Sequence, residues 1–331
     1  MKQKTIMPLA AIIAVTLMFP HPAHSKECPL LPEKQGTFEF LTRTDYAWYQ
    51  CGFTKAEVND NLKELAALVA TVRKNPVLAG LKGFDARVQL YTISDCGGTA
   101  AYGIPVRVSF GLCSWFQCDG KGPVRITMEP PEWSVMVNDM VPGWVTPLSS
   151  AEGRVFFSVP AKKETIRPGI DVYDHECYIM YNPDRPAYWL PVTVKEAYAA
   201  MVEDAKKDKD AYTRQFMLNF MEKEWAAFSE ADRSRPAYTV GTNENMPRIL
   251  GKLSADATGL PLVRVNPAYW NKGLPRSAIQ FIYCRIINNK AYIRKEKEFF
   301  LQKNSISYNL YRFLETLNND TAASLLHHIR K

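Results

Sequence analysis

Val106-Arg-Val-Ser-Phe-Gly-Leu112, then Asp119-Gly-Lys-Gly-Pro123, then Val124-Arg-Ile-Thr-Met-Glu129: these three runs decide the fold class. In the first, Val106, Val108, Phe110 and Leu112 fall on one side of an extended chain, with Arg107 and Ser109 on the other. The last repeats the alternation, setting Val124, Ile126 and Met128 against Arg125, Thr127 and Glu129. A period of two marks a half-buried strand and the Gly/Pro link is a turn sequence, so a β-hairpin is predicted. Cys113 and Cys118 lie near its neck, close enough to bridge across the turn.

Working outward, Arg87–Tyr91, Ser134–Val137 and Arg154–Val159 read as further strands. Upstream, Thr54-Lys-Ala-Glu57 is a capping box, in which hydroxyl and carboxylate satisfy each other's backbone N–H. Val58, Leu62, Leu65, Val69 and Val72 follow at spacings of four and three, the apolar stripe of a helix that Asn75-Pro76 stops. The expected fold class is α+β: an N-terminal helix packed on an antiparallel meander over residues 26–165.

The polar run Ala161–Gly169 is the candidate boundary, or else a surface loop within one domain. Beyond it, residues 166–331 are expected to form a more helical region with a few strands. Thr193-Val-Lys-Glu196 is a second capping box, with a stripe of Val194, Tyr198, Met201 and Ala205. Tyr212, Phe216 and Phe220 carry helix towards Phe228, after a charged stretch at Lys206–Asp210. Tyr178–Tyr181, Leu262–Val265 and Ile279–Ile287 read as strands, and Tyr292–Gln302 and Ile306–Leu317 as closing helices. His327 and His328 sit in a tail that reads as frayed.

The N-terminus has the form of a secretory signal peptide. Lys2 and Lys4 give a positive start, Ile6–Phe19 is an uncharged apolar run, and Ala23-His-Ser25 offers small residues for cleavage after Ser25. The apolar run is shorter than the ~20 residues that span a bilayer. Without residues 1–25 the charge is 39 basic minus 34 acidic residues, or +5, too mild and too mixed for a nucleic-acid footprint. No later run is long and apolar enough to predict a membrane span. The expected localisation is therefore the periplasm or beyond.

In that compartment the seven cysteines are expected to form disulfides, with at least one left over. Cys113–Cys118 and Cys28–Cys51 are the candidate pairs, although spacing does not fix connectivity. Cys96, in Asp95-Cys-Gly-Gly98, reads as a disulfide partner or as a nucleophile on a tight turn. Cys-x-x-Cys, P-loop, dinucleotide and nucleophile-elbow patterns are absent, so no cofactor or metal is expected.

Two features remain that could carry function. Asp171, Asp174, His175 and Glu176 bring three carboxylates around an imidazole, a set able to act as general acid and base or to ligate a divalent ion. No second histidine stands at metalloprotease spacing, and a polar turn before a strand accounts for the same residues. The second is an echo: Pro186-Ala-Tyr188-Trp189 recurs as Pro267-Ala-Tyr269-Trp270, and Pro-Ala-Tyr again at 236–238. Tyr188, Trp189, Tyr269 and Trp270 could form a rigid aromatic platform for a peptide or glycan, or could plug the core.

The segment Asn266-Pro-Ala-Tyr-Trp270 through Leu274-Pro-Arg-Ser-Ala-Ile-Gln-Phe-Ile282 resembles a family of exported bacterial proteins without assigned activity. The resemblance covers the C-terminal half, implies bacterial export and carries no catalytic residues. Two functions are thus expected. The first is a non-catalytic binding or accessory protein for a peptide, glycan or protein partner; the alternative is a hydrolase, with or without a divalent metal, using Asp171–Glu176.

Overall fold

The structure, a computed structural model, describes residues 28–41, 51–92, 100–117, 122–125, 127, 130–141, 148–149, 155–174, 177–240, 252–287, 307–317 and 319–330. The first part of the chain forms β1 (Phe38–Leu41), α1 (Lys55–Arg73), α2 (Pro76–Ala79), β2 (Phe84–Thr92), β3 (Val106–Gln117), β4 (Pro123–Arg125), β5 (Glu132–Val137), β6 (Leu148–Ser149) and β7 (Val155–Ser158). Next come β8 (Lys162–Arg167), β9 (Ile170–Tyr173), β10 (Cys177–Tyr181), β11 (Trp189–Pro191), α3 (Val194–Lys206), α4 (Ala211–Ala226) and α5 (Glu230–Arg233). The remainder is β12 (Tyr238–Val240), β13 (Lys252–Ser254), β14 (Leu260–Val265), a 3₁₀ turn (Pro267–Tyr269), β15 (Phe281–Ile287), α6 (Tyr308–Glu315) and α7 (Asn319–Leu326).

Both capping boxes form. The Glu57 N–H donates to Thr54 Oγ1 at 3.2 Å and the Thr54 N–H to Glu57 Oε2 at 2.8 Å. Thr193 and Glu196 make the same exchange at 3.2 and 3.0 Å. The hairpin forms too, with Trp115 opposite Arg125 and Gln117 opposite Pro123.

Strands pair into two sheets, one ordered β1-β2-β3-β5-β15-β10-β9-β8 with β4 beside β3, the other β13-β12-β14-β7-β6 with β11 beside β14. Alternation along each strand builds three cores from these sheets. Trp133, Val135 and Val137 of β5 and Ile282, Cys284 and Ile286 of β15 face α1, α6 and α7 in the first core. Met136 of β5, Cys177 and Ile179 of β10, and Phe281 and Tyr283 of β15 face the second sheet, meeting Phe157 and Val263 in the next core. The other faces of β7 and β14, Phe156 and Leu262, pack on Val194, Ala197 and Ala200 of α3. The layers run helix, sheet, sheet, helix. Strand β15 is buried on both sides, which is why Phe281-Ile-Tyr-Cys-Arg-Ile shows little alternation.

The expectation of a more helical C-terminal region is overturned. The described chain is richer in strand than in helix, and β9–β15 all follow residue 169. Part of the reason is the hairpin β8–β9, which reads as a polar loop because β8 is an edge strand with a mostly exposed burial pattern. Its turn at Pro168-Gly169 needs glycine: Gly169 has φ +90°, and a Cβ there would lie 2.8 Å from the Tyr181 carbonyl oxygen. Residue 165 falls within β8, and each sheet takes strands from both sides of it. The helix expected at Tyr292–Gln302 and the signal segment 1–25 lie outside the described residues.

Two local expectations are also corrected. Cys113 is a buried free thiol, so no Cys113–Cys118 bridge forms. The strand runs on to Gln117, which places Cys113 opposite Asp85 inside the ladder, away from the turn. Cys118 and Cys96 lie outside the described residues. Cys28 and Cys51 are each engaged in a disulfide. The C-terminal tail is packed: Leu325 and Ile329 are buried, the Arg330 N–H donates to the Ile279 carbonyl at 2.8 Å, and the His328 ring meets Thr71 Oγ1 at 2.9 Å.

Candidate functional site

Of the polar cluster, Asp171 and Asp174 are described, while His175 and Glu176 lie outside the described residues. The two aspartates part company. Asp174 is half-exposed at the end of the hairpin, with Lys163 Nζ 3.5 Å away. Asp171, on β9, is only 2% exposed. Its Oδ1 accepts from Thr165 Oγ1 at 2.7 Å and Tyr181 Oη at 3.4 Å, and pairs with Lys162 Nζ at 2.8 Å. Its Oδ2 accepts from Tyr188 Oη at 2.6 Å. That uses Tyr188's one proton, so in the 2.7 Å contact between the Tyr173 and Tyr188 hydroxyls, Tyr173 is the donor.

Burial raises the hydroxyl pKa of Tyr173, Tyr188 and Tyr181 above the ordinary tyrosine value, and the Asp171 charge adds to the rise. These phenols stay protonated and keep donating inward. A general base needs a lone pair turned towards substrate. The Asp171 oxygens instead face four donors, and what the cluster does chemically is neutralise a buried carboxylate beneath the aromatic core.

The structure also brings the two Pro-Ala-Tyr-Trp segments together. Each opens on an Asn-Pro pair whose asparagine side chain accepts a backbone N–H two residues on: Asp184 to Asn182 at 2.9 Å, Ala268 to Asn266 at 3.1 Å. Asn75-Pro76 makes the same turn at α2, with Val77 as donor at 3.0 Å. The segments then lock. Asn266 Nδ2 donates to the Ala187 carbonyl at 2.6 Å, and Arg185 sends Nε and Nη2 to the carbonyls of Tyr269 and Trp270 at 2.8 and 2.7 Å. Trp189 on β11 stands opposite Val265 on β14.

This interlock turns all four aromatic candidates inward. Tyr188, Trp189, Tyr269 and Trp270 are buried between the sheets, ring edge to ring face. Tyr269 Oη donates to the Gln280 carbonyl at 2.6 Å and accepts from the Asn182 N–H at 3.1 Å, and burial raises its pKa. Trp189 Nε1 donates to the Met140 carbonyl at 3.0 Å. Their faces are spent on one another, as a core plug requires.

Among the described residues, the aromatic side chains most open to water lie elsewhere, on α4. Tyr212, Phe216 and Phe220 are 81%, 63% and 53% exposed, with Met217 exposed beside them. Spacing of four brings them along one outward flank of the helix. The opposite flank is what holds α4 to the body. Met221 is buried there, and Trp225 stacks on Tyr198 of α3 with centroids 4.4 Å apart and rings 21° from parallel. Asp210 caps the helix, accepting from the Thr213 N–H at 2.7 Å. The sequence shows this stripe but not its direction, because periodicity marks a face as apolar without saying what covers it. One sign was present: Asn219 and Lys223 fall within the same flank, which a core-facing stripe would exclude.

A polar row also crosses the large sheet, with Gln89, Ser109, Ser134 and Arg285 opposite one another on β2, β3, β5 and β15. Glu132 beside it accepts from Ser134 Oγ at 2.5 Å. A crevice under α7, lined by Trp133, Met180, Cys284 and Leu325 among others, has room for about one water (about 10 Å³). Among the described residues no group of three or more His, Cys, Asp or Glu could hold a metal ion, and no helix is long and apolar enough to cross a membrane. No family model, curated protein or solved structure matches this chain.

Proposed function

We propose that this chain acts after export as a non-catalytic binding or accessory protein, and that it docks through the outward flank of α4. The observation that carries the reading is the exposure of Tyr212, Phe216 and Phe220 in one row on a preformed helix. Folded chains seldom leave a contiguous aromatic patch in water unless something binds it. Aromatic anchors at helical spacing are also the contacts a docking helix uses. The disulfides at Cys28 and Cys51 support work in an oxidising compartment. Binding to the partner would cover rings that the body of the protein leaves open.

The test replaces Tyr212, Phe216 and Phe220 together by serine and measures retention on fractionated cell envelope. The reading expects retention by the parent protein, loss in the triple variant, and unchanged melting temperature. Equal retention of both proteins would refute it.

A further inference from the structure

Resting on the reading of α4 as a docking surface, we propose that what it docks on is a lipid surface carrying anionic headgroups. The charge pattern of the flank carries this step. Lys209 stands just before the helix cap and Lys223 on the stripe itself, one at each end of the aromatic row, and both are exposed. Neither has an ion-pair partner among the described residues, whereas Lys206 and Lys207 nearby pair with Glu203 and Asp204 at 2.9 and 3.9 Å.

The neighbouring acids are committed or set to one side. Asp208 and Asp210 accept the backbone N–H groups of Asp210 and Thr213 at 2.9 and 2.7 Å, Glu224 lies 3.7 Å from Lys252, and Glu222 stands about 120° round the helix from Phe216. The row itself thus presents apolar rings with a lysine near each end and no carboxylate within it.

The row runs from Tyr212 to Phe220, eight residue steps or about 12 Å of exposed helix. A row of rings along one exposed helix flank can enter a soft interface together while the lysine stems reach back to phosphate oxygens, the geometry of a helix lying in the headgroup layer. A glycan site is a poorer match, since Phe216 and Phe220 offer no hydrogen-bonding group to a sugar hydroxyl and Met217 only a weakly accepting sulfur. Because α4 is already capped and braced by the Trp225–Tyr198 stack, no segment has to fold on binding. With two lysines and three rings the attachment is peripheral and reversible.

Flotation of the purified protein with phosphatidylglycerol-containing vesicles, against pure phosphatidylcholine vesicles, tests the proposal. Expected are flotation with the anionic vesicles, weakening at high salt, and at least about tenfold loss in the Tyr212→Ser/Phe216→Ser/Phe220→Ser protein. Lys209→Gln/Lys223→Gln, which alters only exposed side chains, should lower binding to anionic vesicles and leave melting unchanged. Failure of the parent protein to float with anionic vesicles at low salt overturns the lipid proposal. If delipidated envelope protein still retains the parent and not the triple serine variant, the docking reading survives with a protein partner. If no fraction distinguishes them, both fall.

Discussion

Replacing Trp189 by alanine separates a core plug from a ligand platform. The indole sits between Tyr188, Tyr173 and Phe157, with centroids 5.1, 5.6 and 5.8 Å away and every ring near edge-on. Truncation removes those contacts and opens a cavity between the sheets, a loss of roughly 3–5 kcal/mol for a buried tryptophan. It also strips the Met140 carbonyl of its donor, adding about 1 kcal/mol. Against a total stability on the order of 5–15 kcal/mol, the variant should be marginal. At roughly 2–4 °C per kcal/mol, its melting temperature should drop by about 10 °C or more. Trp189→Phe, which keeps most of the ring and loses the hydrogen bond, should lose about 1–2 kcal/mol. Near-UV circular dichroism with thermal and urea melts of all three proteins measures this. A Trp189→Ala protein that melts within about 2 °C of the parent would refute the core assignment.

Three further outcomes follow from the same geometry. Tyr188→Phe leaves Asp171 Oδ2 without its 2.6 Å donor inside the core and should cost about 1–3 kcal/mol in urea melts; an unchanged midpoint would show that water replaces the hydroxyl. Arg276 donates from Nε and Nη2 to the Glu57 carboxylate at 2.8 and 2.9 Å and, with Thr54, holds its pKa down at about 2. A depressed carboxylate pKa gives stability that is full above the unfolded value near 4.5 and fades as pH falls towards 2. Discounted for a partly solvated pair this is roughly 1–2 kcal/mol, and Arg276→Gln should flatten that limb of the pH–stability curve. Cys113, Cys177 and Cys284 carry buried thiols outside any disulfide, and burial raises the pKa of Cys113 and Cys284, so maleimide should label them only in denaturant. Labelling of the native protein at any of the three would contradict their placement.

The sequence carries local structure well where one residue's chemistry decides it. Thr54/Glu57 and Thr193/Glu196 cap the helices they announce, and Val106–Leu112 lies in the strand its alternation implies. Asn61 is less legible. It is a polar residue on the buried side of α1, and only the fold supplies its partner, the Ser277 carbonyl at 3.0 Å and 216 residues away in sequence. Strand β8 is hidden by its polarity, since an edge strand facing water has no apolar alternation to read. The aromatic candidates show the sharpest limit. Trp189 and Tyr212 are both large aromatic residues near helix or strand ends, yet one is buried and the other 81% exposed. Direction comes from what packs behind each element, and that is set by strands far apart in the chain. The polar cluster divides for the same reason: Asp171 points into the aromatic core on a strand that Asp174 has already left.

The account stands most directly on whether the outward flank of α4 binds something, so Phe216→Glu is the substitution that decides it. The side chain is 63% exposed, and a carboxylate there has water on most sides, so melting should stay within about 2 °C of the parent. Retention on envelope material, measured on the same preparation, should fall by at least about tenfold, because the charge enters the centre of the docking row. Unchanged melting with lost retention is the predicted result. Lost stability would mean that Phe216 is packed, and unchanged retention would mean that α4 is not the docking surface.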